Sequence, residues 1–179
     1  MVQRKIYHAR LMYARPFIDS LDFAGNGKEI KGEVPFAEMP RLLDELESPD
    51  GVLQYTVRGG VDKLDVSFLH VVMTGDCRLQ CQRCLGALEH EIRIATRLLL
   101  RDQAELDALD AQEGDEEEFD SILVSTQFDV LSMLEEEILL SLPISPRHES
   151  GACQAKDGES AGKGKENPFA ALANLKVVK

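Results

Sequence analysis

Residues 64–101 read LDVSFLHVVMTGDCRLQCQRCLGALEHEIRIATRLLLR, and the fold turns on what this stretch does around Cys81 and Cys84. Its first half is long and β-branched in the middle. After the cysteines, Ile92 and Ile94 alternate with Glu91 and Arg93, the period of two that sends successive side chains to opposite faces of a strand. Two such runs predict a β-hairpin with the cysteine pair at its tip. Gly75 interrupts the first run and predicts a bulge or bend there.

Further elements are read on both sides. PFIDSLDF (16–23) predicts a short helical or turn segment closed by Gly25 and Gly27, and KEIKGEVP (28–35) alternates as a strand. FAEMPRLLDELESPDG (36–51) predicts one helix, with Pro40 in its first turn and Leu42, Leu43 and Leu46 on one face. Val52–Arg58 and Ser121–Phe128 read as strands. Asp129 can cap a helix in which Val130, Leu134, Ile138 and Leu142 recur every four residues, with Glu135, Glu136 and Glu137 on its solvated side. The expected class is α+β: a mostly antiparallel sheet with a long central hairpin and two or three helices.

Composition places the chain among globular proteins, with 44% hydrophobic and 29% charged residues in 179. No apolar run has membrane-spanning length, and MVQRKIYHAR at the start lacks the apolar core of a secretory signal, so a cytoplasmic protein is expected. The formal charge of −12 is unevenly spread: ten acids and no Lys or Arg fall between Asp102 and Asp120. Without that segment 22 acids face 20 bases, a net of −2. Residues 102–120 are therefore expected to be a mobile acidic loop, while a basic face remains available elsewhere. The reading is a single α+β domain over 1–153, a flexible linker over 154–166 and a short docking motif in NPFAALANLKVVK (167–179).

The C-x-x-C pair admits three readings. A redox dithiol needs a helix N-terminus to depress the first thiol, and the flanks here are strands. A metal knuckle fits a tight turn but wants four ligands, and His148 and Cys153, five apart in RHESGAC, are the remaining candidates beside Cys81 and Cys84. That Cys₃His set makes zinc a candidate cofactor. The third reading has no metal, with the cysteines incidental. Cys77 lies on the strand side and is expected to point away or inward. No Walker-type phosphate loop, catalytic triad or aromatic-rich base-stacking strand is present, so an enzyme is not expected.

LQCQRCLGALEHEI, the acidic gap, FDVLSMLEEEILLSLPISPRH with a cysteine five residues on, and NPFAALANLK occur in that order. The combination resembles the YceD family, also called the large ribosomal RNA subunit accumulation proteins. The resemblance implies a bacterial cytoplasmic factor in the synthesis, processing or stability of 23S ribosomal RNA, with no established catalytic residues. Some members of that family carry a second C-x-x-C late in the chain; here His148 and Cys153 stand at the corresponding place. Two functions follow as expectations. One is a ribosome biogenesis factor that binds pre-rRNA, a large-subunit precursor or a basic ribosomal protein, with no membrane and no small-molecule substrate. Arg78, Arg83, Arg93, Arg97 and Arg101 are then the candidate phosphate contacts. The other is a small RNA-processing or C-x-x-C redox enzyme.

Overall fold

The computed structural model describes residues 15–110, 120–149 and 152–153. The expected linker and docking motif, residues 1–14 and residues 111–119 lie outside the described residues. In chain order the elements are β1 (Phe17–Ile18), α1 (Ser20–Gly25), β2 (Glu29–Pro35), a 3₁₀ turn (Phe36–Glu38), α2 (Pro40–Leu43), β3 (Val52–Val61), β4 (Ser67–Gln80), β5 (Ala87–Arg101), α3 (Gln103–Asp110), β6 (Ser121–Leu123), β7 (Phe128–Asp129) and α4 (Val130–Ser141). The main sheet has the order β2-β3-β4-β5-β6, antiparallel except for β5 and β6, and β1 pairs with β7 beside it. The class is α+β.

The central hairpin is continuous. β4 and β5 stay in register from Phe68 opposite Leu99 to Gln80 opposite Ala87, thirteen facing pairs. No bulge or bend forms at Gly75, which pairs squarely with Ile92. A Cβ there would meet the Val52 carbonyl oxygen at 3.0 Å and the Phe36 ring at 3.3 Å, so the glycine makes room for a neighbour and does not bend the strand.

Alternation gives the sheet one buried and one open face. Val34, Leu53, Val57, Leu69, Val71, Met73, Leu79 and Leu98 are fully or almost fully buried on one side. They pack with Phe36, Met39 and Leu42 and with Val130, Leu134 and Ile138 of α4 in a single core. Cys77 belongs to that core, as its inward position on the strand implies. Asp129 caps α4 by accepting from the Ser132 N–H, and Leu142, in extended backbone before Pro143, ends it.

Several local readings need correction. The helix expected within 36–51 is broken into a 3₁₀ turn and one turn of α-helix, because Met39 (φ −112°, ψ 84°) sits before Pro40, whose ring disfavours helical backbone in its predecessor. The strand expected over 121–128 reduces to three residues, parallel to β5, and the chain then turns where Ser20 and Ser125 hydrogen-bond to each other. Within 16–23, Phe17–Ile18 is a strand and the helix begins only at Ser20. The start of the acidic segment is helical: Asp102 and Glu105 exchange side-chain-to-backbone bonds of 2.9 and 3.0 Å, a capping box that starts α3. Glu135 does not face solvent. It is 2% exposed, and its Oε1 accepts from the backbone N–H groups of Arg41 (2.7 Å) and Leu42 (3.0 Å). Among the described residues, no helix is long and apolar enough to cross a membrane.

Candidate metal centre at the hairpin tip

Cys81 to Gly86 turn the chain between β4 and β5. The Cys81 N–H donates to Gly86 O at 2.9 Å and the Leu85 N–H to Cys81 O at 2.8 Å, and Leu85 takes a left-handed conformation (φ 57°) to close the turn. This folding of the backbone directs both cysteine sulfurs to one side, as a knuckle requires. No helix begins at either cysteine.

The segment after α4 runs back along this tip. Gln82 N–H donates to Pro146 O at 2.9 Å, and the Gln82 side chain meets Ile144 O (3.4 Å) and the Ser145 hydroxyl (3.1 Å). That path carries His148 and Cys153 to the C-x-x-C turn. Sγ of Cys81 lies 3.7 Å from Sγ of Cys153. Nδ1 of His148 lies 3.4 Å from Cys84 Sγ and 3.6 Å from Cys153 Sγ. All four donor atoms fall within 4.8 Å of one another, a cluster that could hold a metal ion. The sulfurs are too far apart for a disulfide, whose bond is about 2.05 Å.

The thiolate is favoured at two of the three cluster cysteines; at Cys84 the Gly86 main chain lowers the thiol, but burial and the neighbouring Cys153 and Cys81 outweigh it and raise it. Burial raises the Cys81 thiol, but the main-chain N–H groups of Cys84, His148 and Arg83 outweigh it and bring the group down to about 5. Cys153 is also lowered: burial opposes ionisation, while the Arg83 guanidinium and His148 favour it. His148 is raised, first by Cys153 and then by the Ala87 carbonyl. Cys77, by contrast, is pushed up to about 11 by burial, with Asp76 and Glu89 adding to it, and stands apart as a core residue.

Of the five candidate phosphate contacts, Arg78, Arg93 and Arg97 point to the open face of the sheet with Lys31 and Arg58. Each has a carboxylate beside it: Arg78 near Asp50 (3.4 Å) and Glu89 (3.8 Å), Arg93 with Glu91, Arg97 with Asp62 (3.1 Å). Arg97 also stacks 3.9 Å over the Phe68 ring. Arg101, at the far end of β5, donates to the Ser121 hydroxyl at 3.2 Å. Arg83 is elsewhere, inside the knuckle itself. Its Nε donates to Cys153 Sγ at 2.9 Å, and its terminal nitrogen reaches the carbonyl oxygens of His148 (3.4 Å) and Glu149 (3.3 Å). Sequence reasoning did not find this role; Arg83's position between two knuckle cysteines was the available signal.

A family model described as the large ribosomal RNA subunit accumulation protein YceD matches residues 69–176 of the chain. That span holds nearly all of the hairpin, the knuckle and the two later members of the cluster, His148 and Cys153. No solved structure matches the chain.

Proposed function

The chain belongs to the YceD family, and from that premise we propose that it is a cytoplasmic factor for 23S ribosomal RNA accumulation that acts by binding, its tip stapled by zinc. The family's description supports a ribosome-associated role. The observation that carries the binding reading is the closed donor set at the hairpin tip. Three sulfurs and a nitrogen complete the four ligands of a structural zinc site, whereas a catalytic site keeps a position open for water or substrate.

The distances fit that ion. With Zn–S of about 2.3 Å and Zn–N of about 2.05 Å, a regular tetrahedron has S···S edges of about 3.8 Å and S···N edges of about 3.5 Å. Three of the cluster's six edges are 3.7, 3.4 and 3.6 Å, and all six lie within 4.8 Å. Zinc supplies a cross-link here. Cys81 and Cys84 hold the turn, and His148 and Cys153 tie the segment after α4 to it. That linkage supports a rigid presented tip. It gives no support to a thioredoxin-like dithiol, which works from a helix N-terminus.

The open sheet face supports RNA as the bound partner, because Arg78 and Arg93 are exposed enough to exchange their carboxylate partners for phosphates. The test uses the full chain with a 23S precursor transcript over a range of salt. Arg78→Ala with Arg93→Ala should weaken binding and flatten the plot of log affinity against log salt by about one unit per lost phosphate contact. Unchanged affinity and slope would remove the RNA form of the proposal. Cleavage of the transcript by the protein alone would instead favour the processing enzyme.

A further inference from the structure

We propose that Arg83 is the positioning residue of the ligand cluster: its guanidinium clasps Cys153 to the hairpin tip and balances the charge of the thiolates. The proposal rests on the metal reading above. It removes Arg83 from the set of phosphate contacts.

The geometry is specific. Arg83 lies between the first two ligands, so its backbone is fixed by the turn from Cys81 to Gly86. From there its side chain reaches across to the other two. One N–H group contacts the Cys153 sulfur, and another contacts the carbonyl oxygens of His148 and Glu149. One planar group thus bridges both halves of the site, which are more than 60 residues apart in sequence. An ammonium on a flexible stem cannot reproduce that fork.

The charge argument runs the same way. Three thiolates and a neutral imidazole around a divalent ion leave one net negative charge. Cys81 is fully buried and Cys84 and Cys153 are half-buried, so bulk water cannot screen that charge completely. Arg83 is the cation that touches a ligand sulfur among the described residues, and it brings the sum to zero. Outer partners of this kind set ligand orientation and metal affinity.

The test titrates cobalt(II), and zinc(II) by competition with a chromophoric chelator, into the full chain and into Arg83→Ala, Arg83→Lys and Arg93→Ala. Arg83→Ala should bind about 10- to 100-fold more weakly, while its cobalt spectrum at saturation keeps the thiolate charge-transfer band, since all four ligands remain. Arg83→Lys should fall between it and the parent, and Arg93→Ala should match the parent. Affinity of both Arg83 variants within about twofold of the parent overturns the proposal. So does a loss of rRNA binding in Arg83→Ala at unchanged metal affinity, which would return the residue to phosphate contact. If Arg83→Ala does not fold, Arg83→Lys alone decides: weaker binding with the band intact supports the clasp, and parental binding overturns it. A parent chain that takes up neither metal sinks the metal reading itself, and the role of Arg83 with it.

Discussion

Nε2 of His148 sits 2.9 Å from the main-chain oxygen of Ala87. A carbonyl oxygen only accepts, so Nε2 carries the hydrogen, and in the neutral ring Nδ1 keeps its lone pair for the cluster. Ala87 is the first residue of β5 and pairs with Gln80, so the sheet ladder fixes the imidazole's orientation. The long hairpin therefore does more than present the knuckle: it selects the tautomer that can bind a cation.

From this follows the metal content. Protein purified without chelator or affinity-column metal should carry about one zinc per chain by elemental analysis. Cys153→Ser and His148→Ala should each lower the affinity by about a hundredfold or more, because a four-ligand site loses one donor. Zinc retained at parental affinity in Cys153→Ser would break the quartet.

The metal should also govern access to the segment after α4. Arg147 is exposed and next to His148 of the cluster, so trypsin can cut after it once the segment leaves the tip. Chelation should accelerate cleavage at that bond by about tenfold or more, because proteolysis follows the population of the opened form. Equal cleavage rates with and without chelator would mean that the hydrogen bonds from Gln82 hold the segment unaided.

Cys77 should behave unlike the half-buried Cys84 and Cys153. In chelator-treated native protein, alkylation near pH 8 should label those two cysteines and leave Cys77 protected until denaturant is added. Its folded value, about 11, lies above its ordinary value of 9.0, chiefly through burial. The neutral thiol is thus favoured by folding. Its full contribution is present below pH 9 and is lost as pH rises through 11, up to about 2–3 kcal/mol. Urea unfolding curves for Cys77→Ala against the parent should converge over that alkaline window. Parallel curves would place the alkaline instability elsewhere.

The sheet hairpin, α4 and the four members of the Cys/His cluster were legible because each leaves a local mark. Period-two alternation marks β4 and β5, fourfold spacing from Val130 marks α4, and C-x-x-C with His148 and Cys153 marks the cluster. What stayed hidden depends on partners distant in sequence. Ser121–Leu123 joins β5 in parallel through a pairing that no local pattern encodes. Arg83 looks like any surface arginine until Cys153, 70 positions away, comes beside it. The D-x-x-E box at Asp102 was local and readable, but the surrounding acidity outweighed it.

Glu135 was hidden for the same reason, and it sets the sharpest stability prediction. In the run Glu135–Glu136–Glu137 three identical residues have different surroundings. Glu136 is exposed and pairs with the exposed Arg41 guanidinium at 2.9 Å. Glu135 points into the core and accepts from the backbone N–H groups of Arg41 and Leu42, donors that the short helix α2 leaves without carbonyl partners. Glu135→Ala removes that acceptor and strands the buried donors, which should cost about 2–4 kcal/mol in urea unfolding. Glu135→Gln keeps an oxygen in place and should cost about 1 kcal/mol. Glu136→Ala breaks only a solvated pair and should stay within about 0.5 kcal/mol of the parent. If Glu135→Ala proves as mild as Glu136→Ala, the carboxylate does not hold α2 against α4, and the packing of Leu42 and Leu134 must suffice without it.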